Sequence, residues 1–158
     1  MIRRILMSIS GRLPCKIIKD GDQPYLERYY LCTLFDVRFY LHRFVASDPD
    51  RGVHDHPWRW AFSIILAGWY LEESRYFAST RPVRWFNFLT GESFHRVLLP
   101  YGTQVWTLFA HKAGRAKKWG FLRDKGQLGI VYIPHTQKKN EPEDWWTTAP
   151  KGKEFRHG

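Results

Sequence analysis

Acidic residues are scarce in this chain. Its 158 residues carry 15 Asp and Glu against 25 Lys and Arg, a formal net charge of +10. The imbalance sits mainly in the second half, where residues 80–158 hold 14 basic and 6 acidic side chains against 11 and 9 in residues 1–79. Cysteine is nearly absent as well. Cys15 and Cys32 are the only two and form no Cys-x-x-Cys pair, so they read as small apolar residues of a reducing cytoplasm, without a disulfide. Nothing approaches eighteen uninterrupted apolar residues, which excludes a membrane-spanning helix. The apolar run near Met1–Met7 is too short for a secretory signal. There is no Gly-rich phosphate loop, no internal repeat and no heptad pattern. The sequence has neither His-x-Asp nor His-x-Glu, so the two-histidine-one-carboxylate iron triad is not readable in its usual spacing.

Aromatic residues are abundant, at 17% of the chain with eight Trp. The length suits one domain with a full core, and that core is expected to be built from large rings. The remaining pattern is β. Residues 2–9 fit a short helix or an edge strand equally. Cys15 to Lys19 reads as a strand closed by the Asp-Gly turn at Asp20-Gly21. Tyr25 to Phe35 follows, and then Val37 to Phe44, which alternates with Val37, Phe39 and Leu41 on one face and Arg38, Tyr40 and His42 on the other. Trp60 to Leu71 is apolar enough for a strand buried on both faces. Arg84–Leu89, Phe94–Leu99, Gln104–Ala110 and Leu128–Ile133 complete about eight strands with turn signals between them. Glu143 to Trp146 suits the start of a short helix, and Lys151 to Gly158 reads as a loose tail. The fold class expected is all-β, a single domain closed into a barrel or jelly roll.

The chemistry concentrates in Gly52-Val53-His54-Asp55-His56-Pro57-Trp58 and, some forty residues on, Ser93-Phe94-His95-Arg96-Val97. Side chains one residue apart on a strand point the same way. His54 and His56 with His95 from a neighbouring strand therefore make a candidate facial metal set, with nitrogens about 2.0–2.2 Å from the ion. Asp55 points away from its flanking histidines and suits a supporting role.

These residues resemble the cupin superfamily of small double-stranded β-helix barrels. His54-x-His56 with Gly68 twelve residues later looks like the first cupin motif, and His95 after Gly91 takes the place of the histidine that closes the second. The resemblance runs from about Tyr25 to about Phe121, and the phrases around His42, His54 and His95 are similar to small bacterial and phage cupins. It implies a cupin-type jelly-roll barrel over about residues 25–133, with short N-terminal and C-terminal extensions. Two departures stand out. Ala61, beside Trp60, occupies the place of the usual metal-binding glutamate, and the second motif lacks its proline and has three residues between Gly91 and His95. The resemblance thus implies a three-histidine centre at His54, His56 and His95, like that of the thiol dioxygenase branch.

Three neutral imidazoles leave open positions on a divalent transition metal. Iron(II) is favoured for oxygenase chemistry, while zinc, manganese, nickel and copper also accept imidazole. If the face carrying Arg38, Tyr40 and His42 lines the barrel, those three supply a cation, a phenol and a base that orient a small-molecule substrate as catalytic residues. If it faces outward, they are simply solvated. His111 and His135 read as surface histidines in loops, and Trp58, Trp60, Trp69, Trp85 and Trp106 as core and barrel wall. The basic run over residues 112–125 (Lys112, Arg115, Lys117, Lys118, Arg123, Lys125) suits a solvated loop. Its alternative role is docking of a non-enzymatic binding module on nucleic acid or an acidic partner. A homodimer is expected from the resemblance alone.

Overall fold

A computed structural model describes residues 1–75, 80–135 and 142–156. One helix, α1 (Ile2–Ser10), precedes β1 (Cys15–Asp20), β2 (Gln23–Leu34), β3 (Val37–Phe44), β4 (Val53–His54), β5 (Trp60–Ala67) and β6 (Tyr70–Ser74). There follow β7 (Arg81–Val83), β8 (Phe86–Thr90), β9 (His95–Leu98), β10 (Val105–Lys112), β11 (Gly120–Asp124) and β12 (Ile130–Pro134). The strands form two six-stranded sheets in the orders β1-β2-β3-β10-β5-β8 and β12-β11-β4-β9-β6-β7, antiparallel throughout. This is the all-β jelly roll expected from the alternation.

Period-two alternation sorts each strand of the first sheet into an inner and an outer set. On β3 and β10, Tyr40, His42, Val105, Thr107, Phe109 and His111 point inward. Leu41 and Trp106 point outward into a cluster with Tyr29, Cys15 and Leu6 of α1. Two interior clusters fill the barrel. Tyr40, Ala61, Leu89 and Phe109 gather at one end, and Tyr70, Val83, Val97 and Val105 at the other. A buried polar network ties the sheets together: Asn87 of β8 donates from Nδ2 to Glu72 of β6 and to Tyr70 Oη (3.2 Å), and Arg81 donates to Asn87 Oδ1 at 2.9 Å.

Several sequence expectations need correction. Trp60 to Leu71 is not one strand buried on both faces. Gly68, at φ +89° and with Gln104 O 2.8 Å from where a Cβ would stand, turns the chain from one sheet to the other. Ile64 on the outer face of β5 stays 40% exposed. Residues 120–124, outside the strands expected from the sequence, form a strand that pairs with both β4 and β12. Trp85 is exposed rather than part of the wall.

The tail is docked as far as Arg156, and residues 157–158 lie outside the described set. Cys15 N donates to Pro150 O (2.8 Å), Gly152 N to Leu13 O (3.0 Å) and Lys153 N to Gly11 O (3.1 Å). The Arg156 guanidinium then reaches Met7 O, Ser10 Oγ and Tyr29 Oη, each at 2.7 Å. A charged group that satisfies three buried or half-buried acceptors accounts for the order of this segment better than its polar composition does. Both cysteines are free thiols, and burial, with Glu27 nearby, pushes the Cys15 thiol up to about 12. The Arg156→Ala variant is expected to lose roughly 1–3 kcal/mol of unfolding free energy, read by urea denaturation, because its acceptors lose charge-assisted bonds.

Candidate metal centre

The site is assembled by β4, a strand of two residues wedged between β11 and β9. His54 stands opposite Phe121 on one side and directly opposite His95 on the other. Gly52 leads into this strand at φ +90°, and a Cβ there would stand 2.0 Å from Leu122 O, so only glycine lets β4 approach β11 so closely. Asp55, almost fully buried, faces away from the histidines. Its Oδ1 accepts from Gly120 N (2.7 Å), its Oδ2 pairs with Lys117 Nζ (2.7 Å), and its own N–H donates to Gly120 O (3.2 Å). With Asp55 pinned outward, His54 and His56 are presented on the same side.

The three imidazoles form an even triangle. Ring centroids are 5.1 Å apart for each of the pairs His54–His56, His54–His95 and His56–His95. One ligand atom from each lies within 4.8 Å of the others. His56 Nε2 and His95 Nε2 are 2.9 Å apart. Two nitrogens about 2.1 Å from one ion, in adjacent positions at right angles, stand about 3.0 Å apart, so the donor spacing fits a shared metal. Burial, reinforced by neighbouring cationic groups, holds the pKa of His54 and His56 well below the usual histidine value. Both are therefore neutral donors with a lone pair to give.

Glu72 completes the arrangement, and no motif in the sequence marks it. Its Oε1 accepts from His95 Nδ1 at 3.1 Å, which places that proton on Nδ1 and turns the Nε2 lone pair toward His56. Burial raises the Glu72 carboxyl, but bonds from His95, Arg81 and Asn87 outweigh that and hold it at about 2. The missing cupin glutamate is thus not replaced at its usual place. A carboxylate from β6 instead stands behind one ligand, and no spacing rule connects Glu72 with His95, twenty-three residues on.

The face carrying Arg38, Tyr40 and His42 turns inward, yet the three part company. Tyr40 and His42 are buried in the barrel. His42 Nε2 accepts from Arg28 Nε (3.0 Å), and burial followed by Arg28 keeps His42 neutral. The Arg38 guanidinium lies instead over Trp146 (5.1 Å) and pairs with Glu143 at 3.3 Å, at the end of the barrel covered by the 143–147 segment. Arg28, which no sequence pattern singles out, enters the barrel because β2 pairs Arg28 with His42, and it lies over Tyr40 and Trp58.

His111 is a correction. It sits on β10 rather than in a surface loop, 2% exposed, between Trp58 (4.0 Å, 18°) and Tyr40 (5.5 Å, 15°), and burial lowers its pKa to about 3. His135 stacks on Trp119 at 4.1 Å. Trp58 stacks on His56, while Trp119 and Phe121 flank His54. In the basic run, Lys112 pairs with Asp36, Lys117 with Asp55 and Glu92, and Arg123 donates to Arg51 O. At least half of that run is thus engaged within the fold.

Solved structures of low sequence identity share this architecture. A cupin-2 domain from Rhodospirillum rubrum aligns with a TM-score of 0.56 at 14% identity, over 73% of this chain and 79% of its own. A DMSP lyase structure gives 0.59 at 12% identity, over 77% and 68%. The Fe(II) form of HppE gives 0.50 at 12%, over 63% and 56%. No family model matches the sequence, and no curated protein matches it. At such identities the likeness is one of fold: the chain has a cupin-type jelly-roll architecture. Among the described residues no helix is long and apolar enough to cross a membrane.

Glu72→Gln removes the anionic acceptor behind His95 and should weaken metal binding about 10–100-fold in a chelator competition assay. The metal-free protein should lose stability on acidification. His42, His54, His56 and His111 titrate near 6.5 in the unfolded chain and lower in the folded one, so the contribution of each is intact above about pH 6.5 and shrinks below it. His42, His54, His56 and His111 contribute up to about 1.4 kcal/mol each per pH unit below that value. Urea midpoints measured across this range should therefore fall steeply.

Proposed function

We propose that the chain is a metal-dependent cupin acting on a small molecule, with His54, His56 and His95 holding a divalent transition metal, iron(II) before zinc, manganese, nickel or copper, and with dioxygenase chemistry as the favoured reaction. The observation that carries this reading is the even triangle of imidazoles with two Nε2 atoms 2.9 Å apart. Iron(II) bound there supplies redox chemistry toward dioxygen and open positions for a substrate. The Fe(II) form of HppE and the DMSP lyase support a metal and a small-molecule substrate on this frame, although fold alone does not fix a reaction.

The chain's own residues have distinct parts. Glu72 keeps the His95 proton on Nδ1. Trp58, Trp119 and Phe121 surround the triad with apolar rings and limit water. Tyr40 and the Arg28–His42 pair offer a phenol and a guanidinium that orient a polar substrate group inside the barrel. Arg38 belongs to the mouth, where it holds the 143–147 segment. The alternative of a binding module docking through residues 112–125 has less support, because Lys112, Lys117 and Arg123 already serve the fold.

Elemental analysis of the purified protein should find close to one transition metal per chain. On reconstitution with iron(II), added nitric oxide should give an electron paramagnetic resonance signal from an ion with an open position. His54→Ala/His56→Ala should abolish both and leave the β-sheet circular dichroism intact. Full metal occupancy in that double variant, or wild-type protein that takes up neither iron(II) nor zinc, would overturn the proposal.

A further inference from the structure

One face of the molecule combines exposed apolar side chains with a lack of acids in the segments that build it. On β5 and β8, Phe62 stands opposite Phe88 and Ile64 opposite Phe86, all on the outer surface of the first sheet, and Phe62 and Phe86 are 6.1 Å apart. Phe86 is 64% exposed, Phe88 58% and Trp85, just before them, 78%. Helix α1 packs against Leu66 and Ala67 at the far end of β5, and Ile64 and Phe62 continue outward from Leu66 along that strand at the strand's period. The helix adds Ile2, Ile5 and Ile9, all exposed and spaced to lie along one side.

Residues 1–19, 56–71 and 80–91 contain no Asp or Glu, yet include Arg3, Arg4, Arg12 and Arg84. Arg3 bonds Gln104 O, and Arg84 lies over Trp69, beside the turn at Gly68 where β5 ends. A patch of several large apolar side chains is unusual on a free soluble surface and marks an interaction site.

The charge decides the kind of partner. A second copy of this chain on the same face would oppose arginines to arginines, with no acid in those segments to answer them, and like charges so placed are costly. Stacked nucleobases would not use the aliphatic ridge of α1. We propose that α1 and the outer face of β5 and β8 form a docking surface for an anionic lipid bilayer. The isoleucines, Phe86, Phe88 and Trp85 enter the interface, and Arg3, Arg4, Arg12 and Arg84 meet the headgroups. Isoleucine, Phe and Trp on one side with arginines at the margin is the composition of interfacial binding, and it needs no spanning segment.

The proposal is tested with the full-length protein and sedimented vesicles, either of phosphatidylcholine alone or of phosphatidylcholine with phosphatidylserine. Binding is expected to the serine-containing vesicles, to fall steeply with salt, and to weaken at least about tenfold in Ile5→Asp and in Phe86→Asp/Phe88→Asp. Phe35→Asp, at an exposed aromatic of the β2–β3 turn, should bind like wild type. Thermal melts confirm that each variant is folded. Three results would overturn the proposal: no binding to either vesicle, unchanged binding in the two patch variants, or a dimer in solution that the same substitutions dissociate. The last would assign the face to a second copy.

Discussion

The carboxylate of Asp55 is the point on which the site hangs. It lies inside the protein, takes the Gly120 amide proton on one oxygen and the Lys117 ammonium on the other, and thereby fixes a two-residue strand too short to hold its own register. From that pin follow the pairing of His54 with His95, the matching orientation of His56, and the start of β11. A buried carboxylate is stable only when its oxygens are answered. Here the answers come from the segment that closes the barrel around the triad, so the chemistry and the closure of the fold share one set of bonds.

Much of this is legible in the amino-acid order itself. The alternation in Val37 to Phe44 and the His-x-His spacing lead by short-range periodicity to the fold class and to two of the three clustered histidines, and the resemblance to the second cupin motif adds His95. What escapes is whatever depends on pairing between distant strands. Glu72 stands behind His95 only because β6 pairs with β9, and Arg28 meets His42 only because β2 pairs with β3. His111 reads as solvated among its basic neighbours, but strand parity on β10 turns it into the barrel. The tail reads as loose on composition alone, and a single arginine with three acceptors binds it.

The aromatic content also has a physical reading. Trp145, Tyr40, His111, Trp58 and His56 follow one another as neighbouring rings, with interplanar angles of 13°, 15°, 18° and 14°. This column runs along the barrel interior from the 143–147 segment to the histidine triangle. The rings packed on His56 and His111 shield them from water, and burial keeps both neutral. Arg38, also on the inner face by parity, stays beside Tyr40 while its guanidinium meets Glu143 and the Trp146 ring.

The Arg156 clamp bears on how the protein is made. Its acceptors lie on α1 and β2, whereas the guanidinium itself emerges more than a hundred residues later. The three bonds that tie the outer layer over Leu6, Cys15 and Tyr29 to the tail therefore form last. Contacts of such long sequence separation are slow to form. Arg156 thus acts as a late latch over a layer that α1, β2 and β3 already build together.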